Sequence, residues 1–227
     1  MNIRAFIPNA LTMANLYCGC CAIIAILNDN FDLAFWLLII AGIFDFADGL
    51  VARALNVSSD MGKELDSLAD VVSFGVVPGT FYYVLLLKSS LPQLALLGYV
   101  ITIFSALRLA KFNLDTRQTT DFIGLNTPSN TFFVVGYAFA YFSHNISFLL
   151  EPYTILLTIA ITSYLLVSEI RMFGFKIKTF GLKENILRIV FIVLSLLAIV
   201  GLGKSGFGVS IILYVLINII FYSKKYV

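Results

Sequence analysis

Charge is scarce in this sequence. Lysine and arginine number 15 and aspartate and glutamate 13 in 227 residues, so 12% of the chain is charged and 60% is hydrophobic. A soluble domain carries about 25% charged and 45–50% apolar residues; with a mean hydropathy of +0.96, this chain is instead a polytopic membrane protein. Histidine is nearly absent: His144 is the only one, so no histidine-rich metal site is available, and its place at the outer end of the fifth apolar run leaves it without an expected catalytic role. Cysteine is confined to Cys18, Cys20 and Cys21 in one apolar segment. Without a second pair or histidine companions these do not make a zinc site, and they read as small packing residues. The net charge of +2 says little about partners, and no nucleic-acid partner is expected. No internal repeat is visible, and no small-residue cleavage pattern closes the first apolar run.

What is abundant is apolar sequence in lengths that span a bilayer. Spans are expected near 10–28, 32–53, 63–87, 92–112, 128–145, 152–172, 185–203 and 206–223. The expectation is an all-α integral membrane bundle of about eight transmembrane helices, preceded by a short interfacial helix over 1–8 that contains Arg4, Phe6, Ile7 and Pro8. Asn9 and Thr12, after Pro8, are placed to cap and open the first span. The 21 phenylalanines and 11 tyrosines suit lipid-facing surfaces and interfacial belts. Basic residues set the orientation. With the N-terminus inside, the cytoplasmic ends and loops hold Arg4, Arg53, Lys63, Arg108, Lys111, Arg117, Arg171, Lys176, Lys178, Lys183, Arg188, Lys224 and Lys225, and the outer side holds only Lys88 and Lys204. That asymmetry puts the loop after Arg53 in the cytoplasm.

The few acids are then conspicuous. Asp45, Asp48, Gly49, Ala52 and Arg53 fall on one face of a helix, and after eight intervening residues Gly62, Asp66, Asp70 and Ser73 fall on one face of the next. Two helices joined by a short turn bring four carboxylates together, roughly 12 Å from the turn at 1.5 Å per residue for the two outermost. Ionisable groups at membrane depth mark a functional site. Their compensation points to hard divalent cations, which take oxygen ligands. Small residues at 49, 52 and 62 let phosphates approach the backbone, and Arg53 offers a bidentate phosphate partner.

The pattern Asp45-x2-Asp48-Gly49-x2-Ala52-Arg53-x8-Gly62-x3-Asp66-x3-Asp70 resembles, at each defined position, the signature of the CDP-alcohol phosphotransferases, integral membrane enzymes of phospholipid synthesis. The resemblance implies a core of six helices, over 9–172, with the two helices of 185–223 as an addition within a single membrane domain. It implies two divalent cations, Mg²⁺ or Mn²⁺, held by Asp45, Asp48, Asp66 and Asp70, with Asp70 also the general base. Asn9, Thr12, Asp45, Gly49, Ala52, Arg53, Gly62 and Asp66 would surround the CDP moiety, and a homodimer would be the assembly.

Further matches narrow the resemblance. Arg108-Leu-Ala-Lys111-Phe-Asn113, then Gly124-Leu-Asn126-Thr127-Pro128, then Ser168-Glu169-Ile170-Arg171 with Phe175-Lys176 are similar to segments of the membrane-type phosphatidylserine synthases. Those enzymes show Arg where Lys111 stands and Pro where Asn126 stands; the first change keeps the charge and the second is expected to loosen the turn. Arg108, Lys111, Asn113, Thr127 and Arg171 become candidates for the acceptor or the lipid phosphate, Arg108 first. The positive-inside bias explains the basic groups equally well, and Glu169 with Arg171 would make a simple pair at the end of a helix. The implied reaction moves a phosphatidyl-type group from a CDP-lipid to the hydroxyl of L-serine, at the cytoplasmic side of the cell membrane. Alternatives are glycerol 3-phosphate or inositol phosphate as acceptor, a membrane prenyltransferase, whose acid clusters recur twice, and an ion transporter with intramembrane acids, for which repeats or broken helices are expected.

Overall fold

The computed structural model describes residues 3–57, 59–115, 121–174 and 182–222. Arg117, Phe175, Lys176, Lys178, Lys224 and Lys225 lie outside the described residues. The elements are α1 (Ile3–Leu27), α2 (Phe31–Ala54), α3 (Asp60–Val71), a π-helical turn (Val72–Val76), α4 (Val77–Lys88), a 3₁₀ segment (Pro92–Tyr99), α5 (Val100–Leu114), α6 (Thr127–His144), α7 (Pro152–Val167), α8 (Leu182–Leu202) and α9 (Gly206–Ile217). The fold is an all-α membrane bundle. Among the described residues, five helical stretches are long and apolar enough to cross a bilayer: Phe6–Leu27, Phe31–Ala54, Asp60–Lys88, Pro92–Leu114 and Asn185–Tyr222. The last is divided near Gly203, whose φ of 59° turns the chain between α8 and α9. The expected count of eight spans is not reached on that measure: α7 is shorter, α6 with its polar Thr127–Thr131 start is not apolar enough, and α8 with α9 counts as one stretch.

Local chemistry sets the ends of these helices. Asn30 caps α2 by accepting from the Leu33 N–H, Ser59 caps α3 by accepting from the Gly62 N–H at 3.1 Å, and Asn126 caps α6 by accepting from the Ser129 N–H at 2.7 Å. Asn56 and Asn145 end α2 and α6 in the left-handed region, each with φ 52°. The turn over Val72–Val76 has a comparable cause. In an α-helix the Phe74 carbonyl would accept from the N–H of residue 78, which is Pro78 and has none. The helix widens, Thr131 of α6 donates to the Phe74 carbonyl at 3.0 Å, and Thr102 of α5 donates to the Gly75 carbonyl at 2.9 Å. Backbone groups freed inside a membrane need such partners.

The apolar core joins α1, α2, α4, α6 and α7 through Ile26, Leu38, Val77, Phe81, Leu85, Val134 and Ile155, all without solvent exposure. α9 packs on α6 where Gly136 meets Gly208; a Cβ on Gly136 would stand 2.0 Å from the Gly208 nitrogen. At the end of the bundle away from the Arg53–Gly62 connection, Lys88 pairs with Asp29 at 3.0 Å, Lys204 pairs with Asp32, and His144 shares a 2.9 Å hydrogen bond with Ser205.

Three expectations are corrected. The first helix runs unbroken from Ile3 through Pro8, so Asn9 and Thr12 stand inside it instead of capping it, and the interfacial turn is its continuation. The span expected to reach residue 172 ends at Val167, because the chain then extends to pair with the loop before α6, Phe122 opposite Met172 and Ile123 opposite Arg171. Glu169 and Arg171 are therefore not an intrahelical pair. Asn126 does not loosen its turn; its side chain caps α6.

Candidate active site

α2 and α3 descend to the short connection 55–59 and hold their acidic faces toward α1. One oxygen each from Asp45, Asp48 and Asp66 lie within 4.8 Å of one another. Asp70, one turn beyond Asp66, interacts with Asp45 and Asp66, so the four carboxylates form one cluster. Hydrogen-bond donors come from α1: Thr12 Oγ1 donates to Asp48 Oδ2 at 2.5 Å and Asn15 Nδ2 to Asp70 Oδ1 at 3.3 Å. Asp48, Asp70, Thr12 and Asn15 are all buried. The back of the cluster is close-packed, since Ser73 donates to the Asn15 carbonyl at 3.0 Å and a Cβ on Gly19 would fall 2.4 Å from Ser73 Oγ.

Beside the acids opens a cavity of about 500 Å³ lined by Asn9, Thr12, Asp48, Gly49, Ala52, Arg53, Gly62, Lys63 and Asp66, among others. Every residue expected around the CDP moiety except Asp45 is in this wall; Asp45 stands one turn deeper. The missing side chains at Gly49 and Gly62 open room: a Cβ at Gly62 would stand 3.3 Å from Asn9 Oδ1, and one at Gly49 3.2 Å from Arg53 Nη1. Such a wall of small residues beside an arginine and helix-borne carboxylates suits a metal-bound diphosphate. The three converging carboxylates fit divalent cations: Asp66 Oδ1 is buried without a hydrogen-bond partner, an arrangement that a cation would complete.

The acceptor candidates separate into two groups. Arg108 is buried, donates from Nε to the Leu125 carbonyl at 2.7 Å, lies 5.5 Å from the centre of the Phe112 ring, and interacts with Asp70. Thr127, also buried, leaves its Oγ1 unpartnered. The others have different work. Lys111 pairs with Glu169 at 2.7 Å on the exposed surface. Asn113 locks α5 to α3, donating to Ser67 Oγ at 2.7 Å while its carbonyl accepts from Lys63. Arg171 is exposed in the short strand pair. His144 lies at the opposite end of the bundle.

Asn15 was not singled out from the sequence. The available signal was the recurrence of Asn9, Thr12 and Asn15 at three-residue intervals in an otherwise apolar helix. The tie between α9 and the extended segment was also unforeseen: Asn218 Oδ1 accepts from the Phe173 N–H and the Tyr214 hydroxyl donates to the Phe173 carbonyl, both at 2.8 Å.

Comparison with known proteins agrees with this geometry. The family model described as CDP-alcohol phosphatidyltransferase matches residues 5–216. A Bacillus subtilis protein named CDP-diacylglycerol–serine O-phosphatidyltransferase is 38% identical over 173 residues, covering 75% of this chain and 92% of the relative. A Helicobacter pylori (strain J99) protein of the same name is 33% identical over 236 aligned positions, covering 96% and 95%. One from Methanocaldococcus jannaschii is 39% identical over 132 residues, covering 58% and 59%. A signature completed in space by its cavity, and a match that runs nearly the length of the sequence, place this chain in the CDP-alcohol phosphatidyltransferase family.

Proposed function

We propose that this enzyme transfers the phosphatidyl group of a CDP-activated lipid to the hydroxyl of L-serine, releasing CMP and forming phosphatidylserine or its ether-lipid equivalent. The observation that carries the reading is the convergence of Asp45, Asp48 and Asp66 within 4.8 Å at the wall of the cavity that holds Asn9, Thr12, Arg53 and Gly62. Serine as acceptor is supported by the names of the relatives from three organisms.

Two divalent cations, Mg²⁺ or Mn²⁺, held by Asp45, Asp48 and Asp66 with Asp70 at their edge, would neutralise the diphosphate and the departing CMP phosphate. The protein's own groups do the rest. Arg53, Asn9 and Thr12 bound the nucleotide's place, and Thr12 fixes the rotamer of Asp48. Asn15 holds one oxygen of Asp70, leaving the other to accept the serine hydroxyl proton. The serine oxygen bonds to the lipid-side phosphorus as the bond from that phosphorus to the CMP oxygen breaks. The buried Arg108 supplies positive charge near Asp70, suited to the carboxylate of the acceptor.

The basic residues at the acid-cluster end favour a cytoplasmic active site in a multi-pass plasma-membrane protein. We read 9–172 as the catalytic core and 185–223 as a buttress, supported by the hold of α9 on α6 and on Phe173. A homodimer is the assembly suggested by the signature. The test is CMP release by purified protein given CDP-diacylglycerol, Mg²⁺ or Mn²⁺, and serine, glycerol 3-phosphate or inositol phosphate in turn. Serine-dependent release that is lost in Asp70→Asn supports the reaction. Release with a phosphorylated acceptor alone overturns the choice of serine, and no release with any acceptor overturns the transferase reading.

A further inference from the structure

α9 carries only Ser210 and Tyr214 as polar residues, and Asn218 follows at the next turn. Spaced by four, the three fall on one helical face, and all are buried. Ser210 uses its hydroxyl within the helix, on the Gly206 carbonyl. Tyr214 and Asn218 instead reach out to one residue of another segment. Asn218 Oδ1 accepts from the Phe173 N–H and the Tyr214 hydroxyl donates to the Phe173 carbonyl, each at 2.8 Å. The Asn218 amide is fixed in that sense because its Nδ2 donates to the Tyr214 carbonyl at 2.7 Å.

Phe173 is where the extended segment needs such partners. Arg171 and Met172 pair with Ile123 and Phe122, and the strand pairing ends at Met172. Phe173 is still buried, and its peptide groups must be satisfied away from water. The two side chains of α9 therefore fasten the strand pair at its open end. From there the chain leads directly to Arg108. The Gly124 N–H donates to the Ile170 carbonyl and the Leu125 N–H to the Leu165 carbonyl, both at 2.8 Å. The Leu125 carbonyl then accepts from Arg108 Nε at 2.7 Å. Leu125 also packs in one apolar cluster with Met172, Phe173 and Tyr214, and Arg108 interacts with both Asp70 and Tyr214.

We infer that Tyr214 and Asn218 are positioning residues for Arg108: by clamping Phe173 they set the strand pair whose Leu125 carbonyl holds the guanidinium. This rests on the reading of Arg108 as the cation for the acceptor, and it gives the appended α9 a part in substrate use beyond packing. A guanidinium recognises a carboxylate through a rigid planar fork, so loosening the carbonyl at Nε misdirects the fork while leaving its charge in place. Neither Tyr214 nor Asn218 lines the cavity beside the acids, so the effect falls on the acceptor and spares the CDP-lipid.

The experiment measures CMP release against serine and CDP-lipid for the full chain, for Tyr214→Phe and Asn218→Leu, and for each combined with Arg108→Lys. Either single variant should raise the serine KM about threefold to tenfold, as expected for one hydrogen bond, with the CDP-lipid KM within about twofold. Added to Arg108→Lys, the same substitutions should raise it less than about twofold further, because residues that act through one group are not additive. Fully multiplicative effects, or equal effects on both substrates, overturn the positioning role in favour of general support of the fold. Hydrogen exchange of the substrate-free protein gives a reading that needs no turnover. The Gly124 and Leu125 amides should exchange about threefold to tenfold faster in either variant, with those of Asp45–Ala52 unchanged; unaltered exchange at Gly124 and Leu125 overturns the clamp. Should Asn218→Leu fail to fold, Tyr214→Phe removes a single oxygen and keeps the test. Faster exchange beside a wild-type enzyme with no serine dependence overturns the choice of acceptor instead, so the two failures are told apart.

Discussion

Thr12 donates its hydroxyl to Asp48 across 2.5 Å, joining the first helix to the signature. A hydroxyl bonded to a carboxylate in this setting contributes about 1.5–3 kcal/mol. Thr12→Val keeps the shape and removes the donor, and it should lower kcat/KM for the CDP-lipid about tenfold to hundredfold and lower the thermal midpoint as well. Thr12→Ser should recover most of the loss. Steady-state CMP release at saturating serine is the measurement; equal values for valine and threonine would deny the contact any role.

The proposed metal ligands predict a titration. Removing divalent ions with a chelator should abolish CMP release, and Asp66→Asn should move the Mn²⁺ midpoint upward at least about tenfold, because one charged oxygen ligand of a hard cation is lost. Manganese electron paramagnetic resonance on the purified protein reads the same shift without turnover. An unchanged Mn²⁺ midpoint would remove Asp66 from the ligand set.

The acids were legible because their spacing is local: Asp45 and Asp48 share a helical turn, as do Asp66 and Asp70, and the intervening stretch 54–61 is too short to carry them apart. The contacts of Lys111 and Asn113 were not legible, for the opposite reason. Their partners, Glu169 and Ser67, lie far away in sequence, and no periodicity reports a contact across the bundle. The end of α7 was missed because the pairing of Phe122 with Met172 competes with helix continuation only once the loop before α6 has folded. The split of 92–114 into a 3₁₀ segment and α5 escaped because hydropathy is blind to helix type.

Gly19 supplies a packing prediction. A Cβ there meets Ser73 Oγ at 2.4 Å and Ser73 Cα at 2.9 Å, so backbone must move. Gly19→Ala should destabilise by about 1–3 kcal/mol and lower kcat more than any Cβ-sized change on a lipid-facing position, since Asn15 and its hold on Asp70 shift with α1. Thermal unfolding in detergent alongside kcat checks both; full activity would show that α1 yields freely.

The buttress is tested at Gly136, where a Cβ would stand 2.0 Å from the Gly208 nitrogen and 2.5 Å from its Cα. Gly136→Ala should lower the thermal midpoint and weaken the tie of α9 to Phe173. Proteolytic release of a fragment containing α8 and α9 from the variant, but not from the wild type, is the expected outcome.

At the other end of the molecule, Lys204 pairs with the exposed Asp32 and lies over the rings of Phe35 and Phe139 at 5.1 and 4.9 Å. Lys204→Met keeps the stem and removes the charge. It should cost less than about 1 kcal/mol of stability and leave turnover within about twofold of wild type at every substrate concentration tested. A large kinetic effect would show that the outer end communicates with the acids.

The widened turn at Val72–Val76 separates one transmembrane rod into two halves with independent angular settings. An α-helix advances about 100° per residue, so a one-residue slip on the outer half of an unbroken rod would swing Asp66 and Asp70 away from Asp45 and Asp48. Here the slack lies between them, and its loose carbonyls are moored by Thr102 and Thr131 to two other helices. The inner half is thus clocked by the chemistry while the outer half, from Pro78 to Lys88, is clocked by the lipid-embedded core. The setting of the carboxylates is therefore separated from that of Val77, Phe81 and Leu85, which pack in the core.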